Sequence, residues 1–173
     1  MDILSLLIRT QDYIGYLGPF LLLGSTLILL KNKGTLLTIY VVGYIINIII
    51  TMILKSIIKQ PRPSEDIHIF NASMANGKRI SFDVYGMPSG HSSSVFYSTA
   101  FIFFALNNPI ITIYYLIIAI NTGYQRVKYK NHTILQVICG AISGIIIGYS
   151  AYLFGTKKLT GILKYKKDDN API

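Results

Sequence analysis

Two histidines, His91 and His132, are close in sequence to residues whose types suit phosphoryl transfer. His132 is followed four residues later by Gln136, so on a helix the two side chains share one face. The Gln136 amide oxygen can then accept a hydrogen bond from one imidazole nitrogen and leave the other nitrogen to attack phosphorus. His91, which ends the run Pro88-Ser89-Gly90-His91, is a candidate to protonate the leaving oxygen. The alternatives are an interfacial histidine at 132 and a solvated histidine in a capping turn at 91.

Three cations occur close to these histidines in sequence. Lys55 falls near the end of an apolar stretch, and Arg62 lies between Pro61 and Pro63 on a stiff, extended exit. Arg126 lies six residues before His132. A guanidinium binds phosphate oxygens in bidentate fashion, and an ammonium adds a point charge. The alternative for each cation is an interfacial anchor that reaches the lipid headgroups.

The run from Pro88 to His91 also predicts an anion site. Proline suits the first position of a helix, and the N–H groups and dipole at that end favour an anion. Gly90 lets the backbone approach a ligand closely, and the Ser89 hydroxyl can donate to a phosphate oxygen. Together with the cations and histidines, this run predicts phosphoryl transfer through a phosphohistidine.

The composition indicates that a membrane helix bundle positions these residues. Hydrophobic residues make up 52% of the 173, the mean hydropathy is +0.52, and charged residues are 13%, against about 25% in a soluble domain. A span needs about 20 mostly apolar residues. We therefore predict an all-α, polytopic membrane helical bundle with about five transmembrane helices. The predicted spans are about 13–30, 36–58, 88–106, 109–124 and 133–154.

We expect one membrane phosphatase domain over residues 1–173. Residues 1–12 form a possible amphipathic interfacial helix, and residues 155–173 form a polar tail. Alternation of the spans puts the loops at 60–87 and 124–132 on one side of the membrane. The candidate residues of the separate motifs can therefore meet there.

Charge and cysteine content exclude several functions. The net charge is +9, but the basic residues lie in short segments between apolar stretches, which argues against a nucleic-acid partner. Cys139 is the only cysteine, so neither an internal disulfide nor a cysteine zinc site can form. Ionisable side chains are scarce within the spans, which argues against a channel or transporter.

The acidic residues of the predicted site loops do not indicate a metal centre. Glu65, Asp66 and Asp83 lack the spacing of a two-metal carboxylate site. His68 lies near two of them, and we expect a solvated loop histidine there rather than a ligand. The sequence therefore predicts metal-independent hydrolysis without a cofactor.

Three ordered motifs resemble the type 2 phosphatidic acid phosphatase superfamily. They are K-x6-R-P from Lys55 to Pro63, P-S-G-H from Pro88 to His91, and R-x5-H from Arg126 to His132. The resemblance implies a helical bundle with the site at one membrane face. It also implies that His132 is the nucleophile and His91 the general acid. The phosphoryl group would be bound by Lys55, Arg62, Ser89, Gly90 and Arg126.

Two positions depart from the superfamily pattern. Gln125 stands where serine is usual, and Gln136 stands where aspartate is usual. Glutamine can orient an imidazole but cannot neutralise its positive form. The second departure therefore leaves open a catalytically inactive relative that retains a phosphate pocket.

One branch, the dolichyl diphosphatases, resembles the chain further. It shares Y-G-M-P-S at Tyr85–Ser89, H-T-x-x-Q-V at His132–Val137 and Q-P-R-P at Gln60–Pro63. Such enzymes cleave the pyrophosphate of an isoprenoid carrier at the lumenal face of the endoplasmic reticulum, in the service of N-glycosylation. The resemblance thus implies a lipid pyrophosphate substrate within the bilayer. A phosphatidate-type monophosphatase is the alternative, and the oligomeric state stays open.

Five lysines of the polar tail bear on orientation. They follow the last predicted span and suit the anionic cytoplasmic leaflet. We therefore expect the site on the lumenal face. These lysines are Lys157, Lys158, Lys164, Lys166 and Lys167.

Overall fold

A computed structural model describes residues 2–63 and 84–163, with side chains as far as residue 157. The described residues form α-helices joined by short turns, and their only β-pairing is an isolated antiparallel bridge between Pro61 and Tyr85. The predicted all-α bundle is confirmed. Its helices are α1 (Ile3–Leu29), α2 (Gly34–Ile58), α3 (Gly90–Leu106), α4 (Pro109–Lys128) and α5 (Ile134–Leu163).

The outside of the bundle is apolar, as expected of a membrane protein. Three helices in the described part are long and apolar enough to cross a membrane: α1, α2 and the portion Ile134–Lys157 of α5. Helix α3 has 17 residues and several serines, and most of it is buried among the other helices. Its polar side chains therefore face protein rather than lipid, which explains its lower hydropathy.

The helix ends follow local sequence signals. Helix α2 ends at Ile58, its C-cap residue Lys59 has the left-handed φ of 50°, and Pro61 cannot continue the helix. Asn108 caps α4 by accepting the N–H groups of Ile110 and Ile111 at 3.0 and 3.1 Å. The segment predicted as an interfacial helix is continuous with the first span, since α1 begins at Ile3.

A row of glycines on α5 brings α3 unusually close. Gly140, Gly144 and Gly148 recur every four residues, so they lie along one face of the helix. A methyl group at Gly140 would overlap the carbonyl oxygen of Ser89, and one at Gly144 would overlap that of Ser93. Small residues at such a seam let two backbones approach. The seam holds the start of α3 against the start of α5.

Farther along α3, aromatic packing fixes this helix against α2. Tyr40 and Tyr97 are fully buried, with ring centroids 5.5 Å apart, and Phe101 packs edge-on against Tyr40 at 5.3 Å. The Tyr97 hydroxyl donates to the Tyr40 carbonyl oxygen at 2.8 Å, and the Tyr40 and Ser98 hydroxyls lie 2.8 Å apart. Both buried phenols are thus satisfied, and the rigid core supports the end of the bundle where the motifs lie.

Candidate active site

The three motifs meet at one end of the bundle. There, the C-terminal end of α2, the N-terminal end of α3 and the turn between α4 and α5 come together. The Gly86 N–H donates to the Gln60 carbonyl oxygen at 2.7 Å, and the bridge between Pro61 and Tyr85 adjoins it. These contacts hold the segment that carries Arg62 beside the segment that leads into α3.

The His132 side chain is only 3% exposed, and its ring is held from both sides. Its Nδ1 lies 2.8 Å from the Gly86 carbonyl oxygen and 3.3 Å from Gln136 Oε1. Since both partners can only accept, Nδ1 carries the proton and Nε2 presents its lone pair. Gly86 is the nearer acceptor. Sequence reasoning missed this role because a backbone carbonyl leaves no side-chain signal.

The predicted contact between His132 and Gln136 is present, but the expected reason for it is wrong. His132 precedes α5, which begins at Ile134, so the pair does not share a helical face. A capping box brings them together instead. The Thr133 N–H donates to Gln136 Oε1 at 3.2 Å, and the Gln136 N–H donates to Thr133 Oγ1 at 3.2 Å.

Gln136 also ties the chain segment that follows α2 to the start of α5. It is fully buried, and its Nε2 donates to the Pro61 carbonyl oxygen at 2.8 Å and to Gln60 Oε1 at 3.1 Å. Its Oε1 accepts from Thr133 and His132. The amide therefore uses both donors and both lone pairs, which an aspartate in its place could not do.

The cations surround the His132 ring. Arg62 Nη1 lies 3.1 Å from Nε2 and 3.2 Å from the Asn131 carbonyl oxygen, to which it donates. Lys55 is buried and donates to the Tyr85 carbonyl oxygen at 2.7 Å. Arg126 is buried as well, and its own carbonyl oxygen accepts the His132 N–H at 3.1 Å.

Burial and these charges keep the His132 imidazole neutral. Burial is the largest cause that lowers its pKa, followed by the positive charges of Arg62, Lys55 and Arg126. The Gln136 hydrogen bond opposes them, and the resulting pKa is about 3. At neutral pH the ring therefore has a lone pair on Nε2, as a nucleophile requires.

Gly90 leaves room for a ligand at the N-terminal end of α3, whereas Ser89 is fully buried and bonded to protein groups. The Ser89 N–H donates to the Gln136 carbonyl oxygen at 3.0 Å, and its hydroxyl oxygen accepts from the Ser92 hydroxyl at 3.2 Å. A methyl group at Gly90 would meet only the Thr51 methyl at 3.8 Å. Packing therefore does not require glycine at this position, which suits the anion approach predicted for it.

His91 lies beside α1. Its ring centroid is 6.1 Å from that of Tyr16, and the guanidinium carbon of Arg126 is 5.9 Å from the same Tyr16 ring. Tyr16 thus contacts two predicted site residues that belong to different motifs. No motif included Tyr16, since it lies in the first predicted span, far from the motifs in sequence.

The structure thus brings the predicted residues into one connected site. Glu65, Asp66, His68 and Asp83 lie outside the described residues. Within the described ranges, no three His, Cys, Asp or Glu side chains lie close enough together to hold a metal ion.

Comparison with known proteins identifies the family. The PAP2 superfamily profile matches residues 36–159, which include every predicted site residue. Dolichyldiphosphatase 1 of Dictyostelium discoideum is 30% identical over 138 residues, which are 73% of this chain and 55% of that protein. Dolichyldiphosphatase 1 of Homo sapiens is 28% identical over 165 residues, 86% of this chain and 65% of that protein.

The chain therefore spans between about half and two thirds of the length of these relatives. No solved structure gives a significant match. Because the family profile covers more than half of the chain, and its range contains the assembled site, the protein belongs to the PAP2 superfamily.

Proposed function

We propose that the protein is an integral membrane lipid phosphatase that hydrolyses a lipid pyrophosphate of the dolichyl diphosphate class through a phosphohistidine. The observation that carries the proposal is the His132 ring. It is buried and neutral, is fixed through Nδ1, and directs Nε2 toward a guanidinium. The similarity to two dolichyldiphosphatases supports the choice of substrate class.

The first step transfers the terminal phosphoryl group to His132. On binding, the phosphate oxygens draw the Arg62 guanidinium away from Nε2 and so uncover its lone pair. Nε2 then forms a bond to phosphorus while the bridging P–O bond breaks. His91 donates a proton to the departing oxygen, and the lipid leaves as its monophosphate. Lys55 and Arg126 offset the charge on the equatorial oxygens.

The second step releases inorganic phosphate. Water attacks phosphorus, the N–P bond breaks, and His91 takes a proton from the water. The Nδ1–H keeps its two acceptors throughout, so the phosphorylated ring carries a positive charge that neither of these neutral acceptors offsets. A positive ring is a better leaving group. The neutral partners at Gly86 and Gln136 therefore favour turnover over a long-lived intermediate.

Two further features belong to the proposal. The hydrolysis is metal-independent, because the guanidinium and ammonium groups supply the positive charge that a metal would otherwise bring. The site faces the lumen of the endoplasmic reticulum, which is supported by Lys157 and the other lysines beyond the last span.

The test is phosphate release by the detergent-solubilised protein in the presence of EDTA. Dolichyl diphosphate and phosphatidate are offered in parallel. His132→Ala serves as the blank, and Lys31→Ala, at the other end of the bundle, is the matched control. We expect release from the diphosphate, a loss of about a thousandfold or more in His132→Ala, and an unchanged rate in Lys31→Ala. An acid-labile, alkali-stable label on the protein would identify the phosphohistidine.

The other outcomes decide between the alternatives. Equal rates on the two lipids would favour a general lipid phosphatase of the phosphatidate type. No release above the His132→Ala blank from either lipid would favour a catalytically inactive relative with a phosphate pocket.

A further inference from the structure

Helix α1 brings the side chain of Tyr16 to the candidate site. Its ring centroid is 6.1 Å from that of His91, with the ring planes inclined by 38°, and the guanidinium carbon of Arg126 is 5.9 Å from the same centroid. These distances suit a favourable aromatic pair and a cation–π contact. Because α1 precedes residues 36–159, which the family profile matches, membership of the family assigns no role to Tyr16.

Two glycines flank Tyr16 and bring α1 close to α4. A methyl group at Gly15 would lie 2.7 Å from Gln125 Cβ, and one at Gly18 would overlap the Thr122 hydroxyl. Small residues at such positions let two helix backbones approach. The backbone of Tyr16 is therefore fixed beside the C-terminal end of α4.

The two partners of the Tyr16 ring differ in how firmly the protein holds them. Arg126 is only 6% exposed and lies in the last turn of α4. His91 is half-buried and is the second residue of α3. A half-buried side chain keeps more rotamer freedom than a buried one, so its neighbours decide which rotamer prevails. The Tyr16 ring, which packs against a buried guanidinium, is such a neighbour for His91.

We propose that Tyr16 is a positioning residue for His91, and that its ring holds the imidazole in the orientation that protonates the leaving oxygen. The inference rests on the proposed function, in which His91 is the general acid. A general acid must lie within hydrogen-bond reach of the departing oxygen, and a small misplacement lowers the rate. Because the contact is made by the ring, phenylalanine should replace tyrosine at this position.

The first test is the NMR spectrum of the full chain in detergent, with its histidines isotopically labelled. The ring current of Tyr16 shifts the signals of the His91 imidazole protons, and loss of these signals in His91→Ala assigns them. We expect Tyr16→Leu to move the His91 signals and Tyr16→Phe to leave them nearly in place. Tyr13→Leu is the matched control, because Tyr13 is an exposed tyrosine one turn earlier on the same helix.

The second test is steady-state hydrolysis of radiolabelled dolichyl diphosphate. Tyr16→Leu should lower kcat about fivefold, roughly the effect of one aromatic pair, and change KM little. Tyr16→Phe should retain most of the rate, and Tyr13→Leu all of it. In a His91→Ala background, Tyr16→Leu should cause no further loss, because the side chain that Tyr16 positions is gone.

Four results would overturn this role: unmoved His91 signals in Tyr16→Leu, an unchanged kcat in that variant, an equal loss in Tyr16→Phe, or the same fivefold loss in the His91→Ala background. The last result would mean that Tyr16 acts through Arg126 or through the fold. The NMR result does not depend on turnover. An inactive protein in which Tyr16→Leu alone moves the His91 signals would refute the proposed hydrolysis and keep the contact. An active protein without that signature would do the reverse.

Discussion

On the side of His132, the proposed nucleophile, which we call the nucleophile side, His132 and Gln136 are buried, and the Gln136 amide makes four hydrogen bonds to protein groups. On the side of His91, the proposed general acid, which we call the leaving-group side, Tyr13 and Tyr16 are largely exposed, and the Asp12–Lys128 pair lies at the surface. The first region has little freedom to rearrange, whereas the second is open to solvent. Attack on phosphorus needs a fixed lone pair, while a leaving group that carries a lipid must be able to depart.

The two regions also differ in how they use charge. Neutral acceptors, the Gly86 carbonyl and the Gln136 amide, hold the His132 ring. Ionised partners, Asp12 and Lys128, join α1 to α4. Because charges interact more strongly where water is excluded, a carboxylate next to His132 would change its pKa greatly. The same charge at Asp12 is largely screened.

Apart from the loss of His132 itself, the largest effect should follow Gly86→Ala, on the nucleophile side. A methyl group there would overlap the Gln136 amide, which its four hydrogen bonds prevent from moving aside. We expect a loss of about a hundredfold in kcat, because the ring and its acceptor shift together. Gly24→Ala is the matched control, since a methyl group at Gly24 would meet nothing within 4 Å. Activity of Gly86→Ala near that of Gly24→Ala would contradict the role given to the Gly86 carbonyl.

A smaller loss, about tenfold, should follow replacement of Gln136 by Asp or Glu. An acid loses the donors to Pro61 and Gln60 and would turn a negative oxygen toward carbonyl oxygens. It would also raise the pKa of His132 and so move the acidic limb of the pH–rate profile upward. A purely structural defect would lower the rate without moving that limb. Full activity with an unchanged acidic limb of the pH–rate profile would contradict a catalytic contribution from the four Gln136 hydrogen bonds.

The contacts of Gln136 show how much of the site the sequence alone could predict. The motif spacing correctly predicted that His132 and Gln136 are in contact, and hydropathy correctly predicted the helical bundle. From the sequence, aspartate looked like the better partner for the ring, because only the imidazole was considered. The donors that Gln136 directs to Pro61 depend on the path of the chain beyond α2, which no local pattern determines.

Other parts of the site were beyond sequence reasoning for similar reasons. The Gly86 carbonyl is a backbone group, and its position depends on the pairing between Pro61 and Tyr85. Tyr16 joins the site because α1 packs against α4, a long-range contact that hydropathy does not specify. Motif spacing predicts which residues converge, whereas tertiary packing decides what surrounds them.

The buried ring should also make stability depend on pH. The His132 pKa is about 3 in the folded protein and 6.5 when unperturbed. Between these values the unfolded chain binds a proton that the folded chain does not. Stability should therefore fall as pH is lowered from about 6.5 toward 3, by at most about 1.4 kcal/mol per pH unit. His132→Gln should flatten this slope in detergent thermal melts between pH 4 and 7. Parallel melting curves for the two proteins would contradict the depressed pKa.

The smallest effect is expected on the leaving-group side, from Asp12→Asn. This change keeps an acceptor for Lys128 and Tyr129 but removes the negative charge, so the ion pair that joins α1 to α4 is lost. We expect the midpoint of the thermal melt in detergent to fall by about 1 °C at low salt, and the loss to shrink at 0.5 M salt because exposed charges are screened. Asp2→Asn, at the start of the same helix, is the control for a general change in surface charge. An equal loss in both variants would mean that the overall surface charge sets the change, whereas a loss in Asp12→Asn alone would assign it to the contact between Asp12 and Lys128.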